Sequence, residues 1–231
     1  MSGNTTDITL LLNLIIYLRH LIGFNCYMNI KLTIMDLKDL LFSSKTNIKP
    51  HSGSLLIAEP LMEDTYFSRS VILVLDEPED GGHFGLILNK ATEMTLKDLM
   101  PEWEEGIRIP VYCGGPVDLQ RMFLLHSLGK ILGECVEVVP GIYVGADLDK
   151  IIEYINDGGE VEGKLRFFLG YCGWSPGQLS AEIRNHTWAV DPTPERNLLK
   201  GFGDDYWRDA VMRLGGEYRS WLLVPADPSL N

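Results

Sequence analysis

Cysteine is scarce in this chain: Cys26, Cys113, Cys135 and Cys172 are the only four in 231 residues. They are far apart and form no C-x-x-C pair, which excludes a paired-cysteine zinc site and a disulfide-stapled secreted fold. Free thiols in a reducing compartment account for them, and the expected location is therefore the cytoplasm. Basic residues are also few, 20 Lys and Arg against 32 Asp and Glu, for a net charge of −12. Nucleic-acid affinity comes mostly from Lys and Arg displacing counterions from phosphate, so direct DNA contact is disfavoured. The densest basic groupings, Lys164 with Arg166 and Arg184 with His186, read as solvated surface. Phosphate-loop and dinucleotide-loop patterns (G-x-x-x-x-G-K-[ST], G-x-G-x-x-G) are missing, as are repeats and low-complexity tracts.

The first 34 residues differ from the rest. Ile8 to Leu18 is almost wholly aliphatic, but it is too short to span a bilayer and is followed by Arg19 and His20. A secretory signal wants basic residues before its apolar run, and residues 1–7 carry Asp7 and none. Two expectations remain: translation starting at Met28 or Met35, or an appendage that leans on a membrane. The domain is accordingly expected over 35–231, without stable membrane association, and 1–34 is set aside as an extension.

From Ser54 onward, short apolar or β-branched runs alternate with turn residues. Strands are expected over 54–59, 70–76, 83–89, 109–115, 121–127, 134–139 and 164–171. EPEDGG (77–82) suits a hairpin loop. The unbroken apolar runs 71–75 and 86–88 imply strands covered on both faces. Leu148, Ile151, Ile152 and Ile155 recur at helical spacing behind Asp147 as N-cap, and Trp207, Ala210, Val211 and Leu214 repeat the pattern before Gly215-Gly216. SPGQ (175–178) looks like a helix start, with Ser175 as N-cap, Pro176 at N1 and Gln178 completing a capping box. Hairpin-like strands followed by helices argue for a single α+β domain. Its mixed sheet would be strongly curved or partly barrel-like, with flanking helices.

Chemistry has few places to live. The stretch 165–183 runs from a strand through a Gly-flanked turn into a helix, which would put Cys172 near a helix N-terminus, where a thiol is activated or an anion is bound. Trp174 occupies the place of the second Gly of a nucleophile elbow, and His126 is the best available base. Small packing residue is the competing account of Cys172. In YCGGPV (112–117), Gly114 and Gly115 permit close approach of a ligand or of another strand, and Pro116 fixes the exit. Asn89, Arg121, Trp174 and Gln178 complete the candidate ligand-binding set. His83, His126 and Asp76 are metal-liganding types without metal-site spacing, and DLD (147–149) lacks the rest of a calcium loop, so no metal is expected. The segment 194–216 is rejected as helix-turn-helix, because Asp204 and Asp205 would open its recognition helix.

The segments GSLLIAEPLMEDTYFSRSVILVLD (53–76), GLILNK (85–90), YCGGPV (112–117), FLLH (123–126) and GYCGWSPGQLSAEI (170–183), followed by WAV (188–190), resemble the AlgH/YqgE family of bacterial proteins. The ending EYRSWLLVP is similar to that of members from the Bacteroides-type lineage. The resemblance implies an α+β, partly barrel-like fold in the cytosol, a start near Met28 or Met35, and no cofactor. The family's usual label, transcriptional regulator, rests on a genetic association rather than on a demonstrated DNA-binding surface. Family members commonly carry Ala or Ser where this chain has Cys172, which counts against an obligatory thiol mechanism. The expected function is binding of a small molecule or protein partner with an indirect regulatory effect. The alternatives are an acyl-transfer or hydrolytic enzyme using Cys172 and His126, and a direct DNA-binding regulator.

Overall fold

A computed structural model describes residues 48–76, 82–101, 108–192 and 198–225. The 1–34 extension, nearly all of the 77–82 loop and residues 194–197 lie outside them. The described residues divide into a unit within 47–210 and a C-terminal stretch from Val211.

The larger unit is built on one ten-stranded sheet. Its strands are β1 (Leu55–Ala58), β2 (Val71–Asp76), β3 (His83–Ile87), β4 (Ala91–Thr95), β5 (Pro110–Cys113), β6 (Val117–His126), β7 (Val136–Val139), β8 (Ile142–Val144), β9 (Leu165–Trp174) and β10 (Trp188–Asp191). The main path runs β10-β1-β2-β3-β9-β6-β8-β7, with β4 on β5 and β5 on β9. Every pairing is antiparallel except β5 with β9, so the sheet is mixed, and its register slips within four of the pairings mark the bulges that curl it. Val71 to Val74 and Leu86 to Leu88 are fully buried, as expected of strands covered on both faces.

Among the described residues, three helices flank the sheet, α1 (Leu96–Leu99), α2 (Leu148–Asn156) and α3 (Gln178–Arg184), and a fourth, α4 (Gly203–Leu214), leads into the C-terminal stretch. Asp147 caps α2 as its sequence requires, accepting from the Asp149 N–H at 3.0 Å. Ile151 and Ile155 then bury against Val111, Leu124, Leu165 and Phe167, each burial stabilising by about 2 kcal/mol. On the opposite side, Leu179 and Ile183 of α3 pack with Leu56, Ile72, Ile87, Trp174 and Trp188.

β9 is the hub. β6 lies along one side of it, while β5 pairs with Phe167–Leu169 and β3 with Cys172–Trp174 on the other. β5 thus wedges between β3 and β9, with Gly114 at the fork: its N–H donates to Leu169 O and its carbonyl accepts from the Ile87 N–H. The chain must then pass from one side of β9 to the other before β6 can begin at Val117. It crosses over Gly170. A Cβ on Gly170, whose φ is +69°, would strike Gly115 O, and a Cβ on Gly115 would strike the Tyr171 backbone. The two glycine motifs of the sequence are therefore two halves of one crossing.

Two expectations change here. The SPGQ segment does not start the helix at Ser175. Pro176 and Gly177 form a type II turn, with Gly177 at φ 78° and the Gln178 N–H bonded to Ser175 O, and the helix begins at Gln178. Half of the expected capping box survives, since Gln178 Oε1 accepts from the Ser175 N–H at 3.1 Å. Arg166 is not a solvated surface residue: it is 5% exposed and donates to the carbonyls of Leu88, Leu199 and Gly201. Its guanidinium also lies 4.3 Å from the centre of the Tyr112 ring. Sequence patterning could not distinguish it from Lys164, because burial comes from the strand order.

In the C-terminal stretch, Gly215 at φ 64° follows the end of α4, and a 3-10 segment spans Gly216–Leu223. Within it the Tyr218 and Trp221 rings meet edge to face at 5.1 Å.

Candidate functional site

Cys172 is an interior β9 residue and does not stand at a helix N-terminus. It is 1% exposed, opposite Gly85, with its thiol donating to Gly114 O at 3.4 Å. Burial, reinforced by nearby Cys113, pushes that thiol well above its ordinary pKa, the reverse of activation. His126 pairs with Leu165 at the far end of β9. Seven residues of strand, roughly 23 Å at about 3.3 Å per residue, separate the two, so they form no nucleophile–base pair. Both His126 ring nitrogens are engaged by backbone, with Gly145 O at 2.8 Å and the Leu128 N–H at 3.3 Å. Burial lowers its pKa, and it stacks as a neutral ring on Tyr143.

The expected binding residues do not converge on one pocket. Asn89 is a clip: its Oδ1 accepts from the Val71 N–H, and its Nδ2 donates to the carbonyls of Arg69 and Gly203. Gly114 and Gly115 serve the crossing, and Pro116 leads out of it. Arg121 is exposed on β6, 5.1 Å over Phe123, whose ring joins those of Phe84 and Tyr171. Trp174 and Gln178 do meet, through a residue outside the expected set. Glu182 Oε2 accepts from the indoles of Trp174 and Trp188, both at 2.8 Å, and its Oε1 accepts from Gln178 Nε2 at 2.9 Å. This network ties Gln178 to the two indoles through one carboxylate, and its spacing signal was Gln178 and Glu182 at i, i+4. Among the described residues no group of three or more His, Cys, Asp or Glu is placed to hold a metal ion.

A different place is open. Thr65, Tyr66, Lys90 and Cys113 line a depression of about 220 Å³. Each comes from a segment that carries the family resemblance: 53–76, 85–90 and 112–117. The loop bearing Thr65 and Tyr66 is built by Asp64, whose Oδ1 accepts from the N–H groups of Tyr66 and Phe67. Phe67 anchors it edge-on against Trp188 at 5.7 Å. Arg69 ends the loop in a left-handed conformation, φ 50°, bonded to Asp204 at 2.7 Å and stacked over Trp207 at 4.6 Å. Lys90 follows β3, and its Nζ donates to Ser68 O at 2.7 Å. Cys113 closes β5, tied to it by its N–H to Lys90 O. Burial lowers the pKa of Lys90, with Cys113 and Asp204 drawing it back up. Burial raises that of Cys113, with Lys90 among the groups opposing. A fixed, half-dehydrated cation beside hydroxyls and a thiol can bind a polar or anionic group.

Comparison with known proteins agrees with the sequence resemblance. The sequence model of AlgH-like proteins matches residues 55–219. A UPF0301 protein of Parabacteroides distasonis is 40% identical over 195 residues, covering 84% of this chain and 98% of that one. One of Bacteroides thetaiotaomicron is 37% identical over 193 residues, covering 84% and 97%. Among solved structures, protein DIP2367 from Corynebacterium diphtheriae is similar with a TM-score of 0.62 at 26% identity, covering 80% of this chain and 97% of that chain. The AlgH protein from Pseudomonas aeruginosa gives 0.58 at 27% identity, covering 75% and 93%.

Proposed function

The chain belongs to the AlgH-like family, and from that premise we propose that it acts by binding a small ligand in the Lys90 depression, its regulatory effect passing through that ligand or a protein partner. The observation that carries this reading is convergence: three segments distant in sequence bring Thr65, Tyr66, Lys90 and Cys113 to one hollow. Of the other candidates, Gly114, Gly115 and Asn89 serve the backbone, Trp174 and Gln178 bond to Glu182, and Arg121 stands apart on exposed β6, so they converge on no common hollow. Direct regulation through DNA is disfavoured by the charge of −12 and by Asp204 and Asp205 in the first turn of α4. No helix among the described residues is long and apolar enough to cross a membrane. Cys113, Cys135 and Cys172 are free, which supports a cytoplasmic setting. Residues 1–34 are proposed to lie outside the binding domain.

Native mass spectrometry of the full chain, purified gently from a bacterial host, tests the reading. A bound small molecule of reproducible mass is expected, and the exposed substitution Thr65→Trp should displace it by filling the hollow. A bound mass indifferent to Thr65→Trp would place the ligand elsewhere. A clean apo mass would move the function to a protein partner.

A further inference from the structure

Resting on that reading, we propose that the ligand of the depression is a small organic oxyanion, a carboxylate or a phosphate ester, held by Lys90 Nζ and the hydroxyls of Thr65 and Tyr66. Among the described residues the hollow is lined by hydrogen-bond donors and by no carboxylate, in a chain where acidic residues outnumber basic ones by 32 to 20. Lys90 has three N–H groups, of which one is spent on Ser68 O, leaving two for a ligand. Thr65 Oγ1 and Tyr66 OH make no hydrogen bond within the described residues, and both side chains are exposed. Asp64, which precedes Thr65, caps its own loop through Oδ1, and Asp204, which acts electrostatically on Lys90, holds Arg69 through Oδ1.

Three physical points favour an anion over a neutral ligand. The Lys90 ammonium has lost part of its water to burial, and an oxyanion replaces that water with a charge-assisted hydrogen bond. The bond to Ser68 O already fixes Nζ, so binding does not have to order a free lysine side chain. Asp64 and Asp204 nearby set a limit on charge, making a nucleic-acid strand a poor occupant and a single anionic group a good one. The volume, about 220 Å³, is below the range of roughly 300–1,000 Å³ typical of drug-sized ligands, so the molecule is small.

The test uses the full-length protein, isotope-labelled, titrated with benzoate, phenyl phosphate and neutral benzamide while the amide resonances of Tyr66, Lys90 and Cys113 are followed. At least one anion should move those resonances and bind about tenfold or more tightly than benzamide. The better of the two anions identifies which headgroup the hollow prefers. Lys90→Met should lose about tenfold in affinity, Lys90→Arg should stay within about threefold, and added salt should weaken binding to the unsubstituted chain. The Arg variant and the salt series hold even where the Met variant folds poorly. Benzamide binding as well as the anions, or anion binding unmoved by Lys90→Met, overturns the proposal. An uncharged native ligand displaced by Thr65→Trp would overturn the anion alone and leave the binding reading intact. Resonances indifferent to every probe, with no bound mass, would remove both.

Discussion

Gly170→Ala should be among the most damaging single-methyl additions in this protein, and the crossing of the chain over β9 says by how much. Gly170 has φ +69°, a region costing an L-residue about 1–2 kcal/mol. Its new Cβ would run into Gly115 O and lie 3.0 Å from Val117 O. Those are backbone atoms held by pairing on both sides, so relief requires shifting a strand, for about 1–3 kcal/mol more. The total is about 2–5 kcal/mol against a typical domain stability of about 5–15 kcal/mol. Gly177 is the control: it has φ +78° and nothing within 4 Å of where an added methyl would sit, so Gly177→Ala should cost only about 1 kcal/mol. Urea denaturation reads the contrast. With a slope of about 2.5 kcal/mol/M, the midpoint should fall by about 1–2 M for Gly170→Ala and about 0.4 M for Gly177→Ala. Equal losses, or a Gly170→Ala cost below about 1 kcal/mol, would refute the crossing as the reason for these glycines.

Glu182→Ala should cost about 2–4 kcal/mol, since it strands the indole N–H groups of buried Trp174 and Trp188 together; thermal unfolding followed by tryptophan fluorescence checks it, and a loss under about 1 kcal/mol would contradict the network. Iodoacetamide at neutral pH should label Cys113 well before Cys172, which reacts only on unfolding; because burial raises the Cys113 pKa, its rate should climb with pH along a curve displaced above that of a free thiol. His126 has a folded pKa depressed below its ordinary 6.5, so the unfolded chain binds its proton first. Stability should therefore fall as pH drops below about 6.5, and His126→Gln should flatten that slope in melts between about pH 5 and 7.

Parts of the fold whose cause is local were legible in the sequence. The cores of β2 and β3 announce themselves as unbroken apolar runs, β9 as a strand over 164–171, and α2 and α4 by their 3.6-residue spacing. β4 (ATEMT), β8 (IYV) and β10 (WAVD) did not, because short or polar segments become strands only through the neighbours that pair with them. Gly114-Gly115 could be read as approach by a ligand or by another strand. Which partner they meet depends on the position of Gly170, fifty-odd residues away in sequence. Glycine flanks also made Cys172 look like a turn residue, whereas Gly170 serves the crossing and β9 continues to Trp174. Lys90 was visible inside GLILNK, yet its role depends on Ser68 and Cys113, which only the tertiary structure brings beside it.

The most direct measurement is amide hydrogen exchange on the gently purified protein before and after its ligand is stripped. If the Lys90 depression is the binding site, stripping should raise exchange in the segments holding Thr65–Ser68, Lys90 and Cys113, and leave Trp174–Glu182 unchanged. A change confined to Trp174–Glu182 would contradict the account and return the site to the Trp174–Gln178 network.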